Sequence, residues 1–400
     1  MKRYNRYIGL WLSGMLMLLC GACSSGDSDE DGGGSGDKPV PKEPSNLEIH
    51  VYTPENPVVT RAEQVEPDAD EKAIHTLDIW VFVSEAKGRF AAGTLIGHLS
   101  PQVSTSSSSD YVGTYQMSVS EEFAEDKPKV DVFVAANLAS VGLESLRSTD
   151  VTPEQLKAQL IDTPYFGLST LTTAPSSTAG LPMSGVLTSE LSGNPPLLKV
   201  ETPVKVVRAV SKVRFVFGRT ETGDADRLKV NSITLDDNMI PVKEYLFLND
   251  PYSEGAYRIY RIDNGSYQEG GSLTPLTGND NIPVCPNPSK YAYIEDREGQ
   301  TKGQAYENLI NGGIEAGELA QVGRFYLRES DKRISGTINY SIGDGTPKNA
   351  TFTMSEADNF SRNHTWIVYG FFAGKEVLNV YSVDVTDWQT SSTDHQIHNW

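Results

Sequence analysis

Three cysteines, six histidines and many serines supply the reactive side chains of this 400-residue chain, and their spacing decides what they can do. Cys20 and Cys23 stand together in the run Leu18-Leu19-Cys20-Gly21-Ala22-Cys23, while Cys285 lies alone between Pro283 and Pro286. An isolated Cys285 reads as a small buried hydrophobe rather than a nucleophile. His395 and His398 are an odd number of residues apart, so on a strand they face opposite sides, and no further ligands complete a metal site. Asp236-Asp237, and Asp384 with Asp387, lack the ligand spacing of a calcium loop and read as solvated turn and strand-end residues. Gly32-Gly33-Gly34 and Gly270-Gly271 have no strand-to-helix setting that would make a phosphate loop. Ser184, between Met183 and Gly185, belongs to no Gly-x-Ser-x-Gly pattern. No enzyme, metal or diffusible cofactor is expected from these residues. Two positions keep their chemical interest. One is Cys23, at the end of an apolar leader. The other is the Arg61-Ala62 bond, which follows a Pro-rich turn and precedes the aperiodic polar stretch Glu63–Lys72, a setting open to proteolysis.

The leader has a basic start, Lys2, Arg3 and Arg6, then an apolar stretch from Ile8 to Leu19. That stretch is shorter than the ~20 residues a membrane span needs, and it matches a secretory signal. Small residues lead into Cys23, and Ser24-Ser25-Gly26 follows; the arrangement resembles the lipobox of bacterial lipoproteins. The resemblance implies a cut between Ala22 and Cys23 and a covalent diacylglycerol with palmitate on the Cys23 sulfur, the one prosthetic group expected. With Cys20 removed and Cys23 lipidated, Cys285 has no partner for an intramolecular disulfide. Asp27, Asp29, Glu30, Asp31 and Asp37 lie in a Gly/Ser-rich stretch with nothing apolar to bury, so a disordered tether is expected. That acidic run also resembles the surface-export signal of Bacteroidales lipoproteins. The formal net charge of −19 argues against nucleic acid as a partner and against unaided binding to anionic lipid.

The elements around these positions read as strands. Short runs rich in Val, Thr and Tyr alternate with turn residues, the spacing of β-sandwiches. Leu47, Ile49 and Val51 alternate with Glu48, His50 and Tyr52, a half-buried strand ahead of Arg61. Leu77–Val83 is almost wholly apolar, which predicts a central strand covered on both faces. Val130–Ala136 is another strand. A helix is predicted from Thr152 to about Thr163, with Pro153 at its first position. Ser169–Pro196 reads as a loop. Val207–Phe217 alternates apolar with largely basic residues and predicts one long strand flooring a second sheet. Ser232–Leu235, Tyr245–Leu248, Tyr257–Ile262, Tyr291–Ile294, Ser335–Ile342, Thr351–Met354, Thr365–Phe372 and Val377–Val385 complete the strands. Tyr257, Tyr260, Tyr267 and Tyr291 fit either sheet packing or a sugar-binding surface.

Several segments resemble, in order, the FimA-type fimbrillins, subunits of Bacteroidales type V pili. They are the lipobox, LEIHVYTPENPVVTRA, IHTLDIWVF, VDVFVAANL, PMSG, VKVVRAVSKVRFVF, RNHTWIV and LNVYSVDVTDW. The resemblance implies an all-β chain of two tandem transthyretin-like β-sandwich domains with few short helices. The implied layout is a signal peptide (1–22), a tether with the first strand (23–61), and sandwiches over 62–200 and 201–400. It also implies that a trypsin-like, Arg-specific protease cuts between Arg61 and Ala62. The lost strand would leave a groove for a donor strand of another subunit. The donor candidate is the C-terminal segment, with Tyr381, Val383 and Val385 on one face and Leu378, Val380 and Trp388 on the other; Val377 begins it. The partners expected are other fimbrial subunits, in a homo-polymer, the protease, and the outer membrane through the lipid, with a host receptor or glycan beyond them. The alternative from another class is a monomeric surface glycan-binding lipoprotein; within the family it is a tip or anchor subunit.

Overall fold

Alternating apolar residues build this molecule as stacked sheets. The computed structural model describes residues 44–53, 71, 73–103, 111–147, 151–162, 180–219, 228–248, 267, 270–273, 320–354, 360–373, 377–385 and 395–398. All lie in one compact unit, Glu43–Trp400; a second unit, Met1–Lys42, falls outside them. In the first half the strands are β1 (Ser45–Tyr52), β2 (Leu77–Val83), β3 (Leu95–Leu99), β4 (Tyr111–Val119), β5 (Val130–Ala136), β6 (Leu160–Ile161), β7 (Met183–Ser189), β8 (Leu191–Asn194), β9 (Leu197–Val200), β10 (Val204–Lys205) and β11 (Val207–Arg208). Two short helices join them, α1 (Glu121–Asp126) and α2 (Pro153–Lys157). The second half holds β12 (Ser211–Arg219), β13 (Leu228–Leu235), β14 (Glu244–Tyr245), β15 (Ser272–Leu273), β16 (Ala320–Leu327), β17 (Ser335–Ile342), β18 (Lys348–Thr353), β19 (Thr365–Ala373), β20 (Val377–Val385) and β21 (His395–His398). The fold is all-β, built as β-sandwiches.

In the first sandwich, β1 lies between β4 on one flank and β9 and β10 on the other, with β8 outside β9. This sheet faces a second in the order β11-β7-β5-β2-β3. Leu47, Ile49 and Val51 meet Leu77, Ile79, Val81, Val132 and Val134 in the core between them. The second sandwich packs the sheet β16-β12-β19-β20-β21 on β15-β13-β17-β18. Phe215, Phe325, Trp366 and Val368 from one meet Ile233, Ile338 and Phe352 from the other.

Strand β2 is buried throughout, as its unbroken apolar run predicts. Its even-numbered side chains explain why. Trp80 and Phe82 leave the first core and enter a third, with Phe133, Leu156, Ile161, Ala209, Val210, Leu246, Phe247 and Tyr326. That core lies between strands of both sandwiches.

Several elements differ from the sequence expectations. The predicted strand Val207–Phe217 is divided into β11 and β12. At the break the chain passes from pairing with β7 to a place between β16 and β19. Its basic residues do not form a solvated face: Arg208 and Lys212 are buried. The helix after Thr152 is short but has the expected start. The Thr152 hydroxyl accepts from Gln155 N at 3.2 Å, and Thr152 N donates to the Gln155 side chain at 2.8 Å, a capping box. It stops early because Leu160–Ile161 pairs with β14. The described part of the predicted loop Ser169–Pro196 contains β7 and β8. Tyr257–Ile262 and Tyr291–Ile294 lie outside the described residues.

The third core also buries charge. Arg362 donates from Nε to Glu329 Oε1 at 3.1 Å and from Nη1 to the Leu246 carbonyl at 2.9 Å. Glu244 Oε2 accepts from Glu329 N at 3.3 Å, and its Oε1 has no hydrogen-bond partner. Burial pushes the Glu244 carboxyl up to about 8, against the pull of Arg362 and with the push of Glu329. The fold thus keeps a proton that the unfolded chain releases near pH 4.5. Stability from this group is greatest below pH 4.5 and falls as pH rises towards 8. Glu244→Gln should therefore gain stability over the parent across that window, by about 1–3 kcal/mol at its upper end. Thermal melts of both chains at pH 5, 6.5 and 8 measure it; a constant difference at all three contradicts it.

Candidate functional site

The first sandwich is organised around β1. Its sequence, SNLEIHVY, alternates, and the sheet uses the alternation fully: Leu47, Ile49 and Val51 are completely buried. At about 2 kcal/mol for each buried aliphatic side chain, the three contribute on the order of 6 kcal/mol before ordering costs. Backbone pairing holds both flanks. β4 runs antiparallel from Ser45↔Val119 to Tyr52↔Tyr111, with a bulge at Val51/Tyr52. β9 runs parallel over Asn46↔Leu197 to Glu48↔Lys199, and β10 over Val51↔Val204 and Tyr52↔Lys205. Pro203, in the gap between β9 and β10, has no N–H to donate to a ladder. Among the described residues, β4 has no strand partner other than β1.

The outward face of β1 carries a polar clasp. Glu48 Oε1 lies 3.0 Å from Lys199 Nζ on β9, and Glu48 Oε2 accepts from Gln116 Nε2 on β4 at 3.0 Å. His50 Nε2 lies 3.0 Å from Glu48 Oε1. The hydrogen bonds from Lys199, then Gln116, then His50 hold the Glu48 carboxyl down, to about 2. One further tie joins the segment after β4 to β8. Lys127, which ends α1 at φ 44°, donates from Nζ to Gly193 O at 2.6 Å and to Asn194 Oδ1 at 2.8 Å at the end of β8.

Beside β1, β10 passes very close to β7. A Cβ on Gly185 would stand 2.1 Å from the Lys205 carbonyl oxygen, so only glycine fits. This gives a structural reason for the glycine of the Pro182-Met183-Ser184-Gly185 segment. Ser184 donates to Leu246 O at 2.6 Å and is buried, so its hydroxyl serves the packing of the third core.

On the far side of β1, the first described residue after position 53 is Glu71. It is fully buried. Its Oε1 lies 2.9 Å from Lys212 Nζ on β12, and the Tyr326 hydroxyl on β16 donates to it. Arg208 Nε donates to its carbonyl at 3.0 Å. Burial holds the Lys212 ammonium below its ordinary range even with Glu71 so near. Glu71 is therefore bonded to both sandwiches, through its carboxylate to β12 and β16 and through its carbonyl to β11, whereas β1 pairs within the first.

Of the residues singled out by sequence, Ala22, Cys23, Arg61, Ala62 and Trp388 lie outside the described residues, as do Cys285, Tyr257, Tyr260 and Tyr291. Val377, Leu378, Val380, Tyr381, Val383 and Val385 form β20, paired along its length with β19 and at Ser382–Val385 with β21. Tyr267 donates to Asp331, and the Lys332 ammonium sits 4.8 Å from its ring centroid. Asp237 accepts from Gly270 N at 2.6 Å, which makes it a turn residue. No cluster of three metal-ligating side chains occurs among the described residues.

The structure also brings together a trio that the sequence reading missed. Asp78 Oδ1 lies 3.2 Å from His98 Nε2 and accepts from the Ser100 hydroxyl, while Asp78 Oδ2 accepts from Arg147 Nε at 3.0 Å. His98 stacks on Trp80 with ring centroids 4.8 Å apart. A catalytic histidine stands between serine and carboxylate and uses a different ring nitrogen for each. Here one nitrogen faces both, so the trio ties β3 to β2 and does not activate the serine.

Comparison with known proteins adds the fold. No protein-family model and no curated protein sequence matches the chain. Among solved structures, a candidate cell adhesion protein from Parabacteroides distasonis superposes with a TM-score of 0.51 at 13% identity, over 88% of this chain and 99% of that one. This chain shares its fold. A C-terminally truncated tip fimbrial protein of Porphyromonas gingivalis aligns with a TM-score of 0.45 at 13% identity, over 89% of this chain and 99% of that one. A fimbrilin of the same organism aligns with a TM-score of 0.45 at 12% identity, over 87% and 99%.

Two outcomes are expected. Glu48 titrates below its usual 4.5, so the clasp contributes above that pH and is lost as pH falls towards about 2. The stability difference between the parent and Glu48→Gln should shrink over that interval, as read by thermal melts. Gly185→Val should force β10 off β7 and cost about 1–3 kcal/mol, the range for overpacking, as a lowered urea midpoint.

Proposed function

We propose that this chain is a structural subunit of a cell-surface fimbria that supports adhesion. It would be exported as a lipoprotein precursor anchored in the outer membrane through Cys23. A trypsin-like protease would then cut between Arg61 and Ala62, and subunits would polymerise by strand exchange. The observation that carries this reading is the position of β1. It precedes the proposed cut, it is an internal strand, and it supplies three fully buried side chains to the core. After scission only non-covalent forces would keep it, and its departure would open a groove edged by unpaired backbone groups. Such an edge takes up another extended chain. Glu71, beyond the cut, is held by Lys212 and Tyr326 and would stay behind. The fold shared with a candidate cell adhesion protein agrees with a surface role. A structural role also agrees with the Asp78 trio acting as a strand tie.

In this scheme the donor is the segment Val377–Trp400 of another subunit, with Val377–Val385 as its extended part. In the structure that part is paired as β20, so donation would require it to leave β19. The subunit would need no cofactor beyond the Cys23 lipid.

N-terminal sequencing of surface-exposed material should begin at Ala62. Arg61→Ala should leave the chain lipid-linked and abolish SDS-resistant ladders, and deletion of Val377–Trp400 should abolish the ladders without preventing the cut. A surface population that retains Cys23 and stays monomeric overturns the proposal.

A further inference from the structure

We propose that Lys199 and Gln116 form a carboxylate-reading position in the vacated track of β1, so that among extended strands of another subunit it holds longest one carrying Asp or Glu in the register of Glu48. The inference rests on the strand-exchange reading above and adds a chemical rule for the incoming strand.

Apolar alternation alone cannot fix the register. A slip of one residue turns every side chain to the wrong face and is strongly disfavoured. A slip of two residues keeps every apolar side chain inward, so aliphatic residues at alternate positions leave several registers nearly equivalent. The outward face breaks that degeneracy. Glu48 bonds to Lys199 on one neighbouring strand and to Gln116 on the other, at 3.0 Å each. Both partners belong to the strands that would remain when β1 leaves. Both donors meet the middle of the track that β1 occupies, and a carboxylate meets both in the register of Glu48. A lysine at that place would stand beside Lys199, a like-charge cross-strand pair, which destabilises a sheet. The fitting strand therefore reads aliphatic, acidic, aliphatic, any residue, aliphatic, as Leu47-Glu48-Ile49-His50-Val51 does.

The rule makes a pointed statement about this chain's own C-terminal strand. Tyr381, Val383 and Val385 can occupy the three inward places, and that register puts Ser382 at the place of Glu48. Moving Asp384 to that place would instead bring Asp387 to the fully buried position of Val51. The tail thus satisfies the apolar rule and not the acidic one. A strand satisfying both should be held longer.

The test uses the full chain with a protease site inserted between β1 and Glu71, nicked in solution. Fluorescent peptides are exchanged into the nicked protein in excess, and their release is followed after a chase. The peptides are residues 45–52, the same with Glu48→Lys, residues 379–387, and the same with Ser382→Glu. The native 45–52 peptide should outlive its Glu48→Lys form by about fivefold, the scale of one half-exposed ion pair. Ser382→Glu should lengthen the life of the tail peptide, and Lys199→Glu in the protein should invert the first preference. Equal lifetimes for the charge variants overturn the carboxylate rule while leaving the groove intact. Failure of every peptide to enter overturns strand exchange itself.

Discussion

One strand joins two flanks of a sheet that otherwise share no backbone bonds among the described residues. β4 pairs only with β1, and β9 and β10 reach β4 only through it. Eight residues therefore close the first sandwich in two ways at once. Their backbone satisfies the edges on both sides, and Leu47, Ile49 and Val51 fill the core below. Backbone edges and apolar cavities are both costly to leave open. The sandwich is complete with β1 and incomplete without it, and Lys127, just after α1, adds a side-chain tie to the end of β8.

The seam between the sandwiches follows a different logic. Its aromatic and aliphatic core contributes most of the attraction, while Glu71, Lys212, Glu244, Glu329 and Arg362 are buried within or beside it. Buried ion pairs gain little net stability, because desolvation offsets their attraction. What they give is direction. Arg362 binds Glu329 and two consecutive carbonyls, those of Tyr245 and Leu246, in a fixed fork. The Glu71 carboxylate reaches two strands of the second sandwich, and its carbonyl one strand of the first. Strand β1, which ends 19 positions before Glu71, pairs only within the first sandwich among the described residues.

Much of this was legible in the sequence, for a plain reason. Period-two alternation is a local property, and a sheet with one buried face obeys it. Ser335–Ile342 and Val377–Val385 coincide with strands to the residue, and Leu77–Val83 matches in extent and in burial. The reading failed where a long-range partner set the outcome. Val207–Phe217 has unbroken alternation, yet the chain changes sandwich at Ala209 and Val210, and Arg208 and Lys212 on its polar face meet buried acceptors. The second half of the predicted helix after Thr152 becomes a strand because β14 offers it a partner. The β7–β8 stretch looked like a loop because its Gly, Ser and Pro content hid two strands.

The sequence by itself determined that this is an all-β chain with an alternating strand at Leu47–Val51, because side-chain alternation is written residue by residue. Only the tertiary structure decided that this strand is internal, that Glu48 clasps the strands on either side, and that the Glu71 carboxylate meets strands of the other sandwich. Those facts depend on which backbone edges lie next to each other, and strand adjacency is set by the packing of sheets, which no local pattern records.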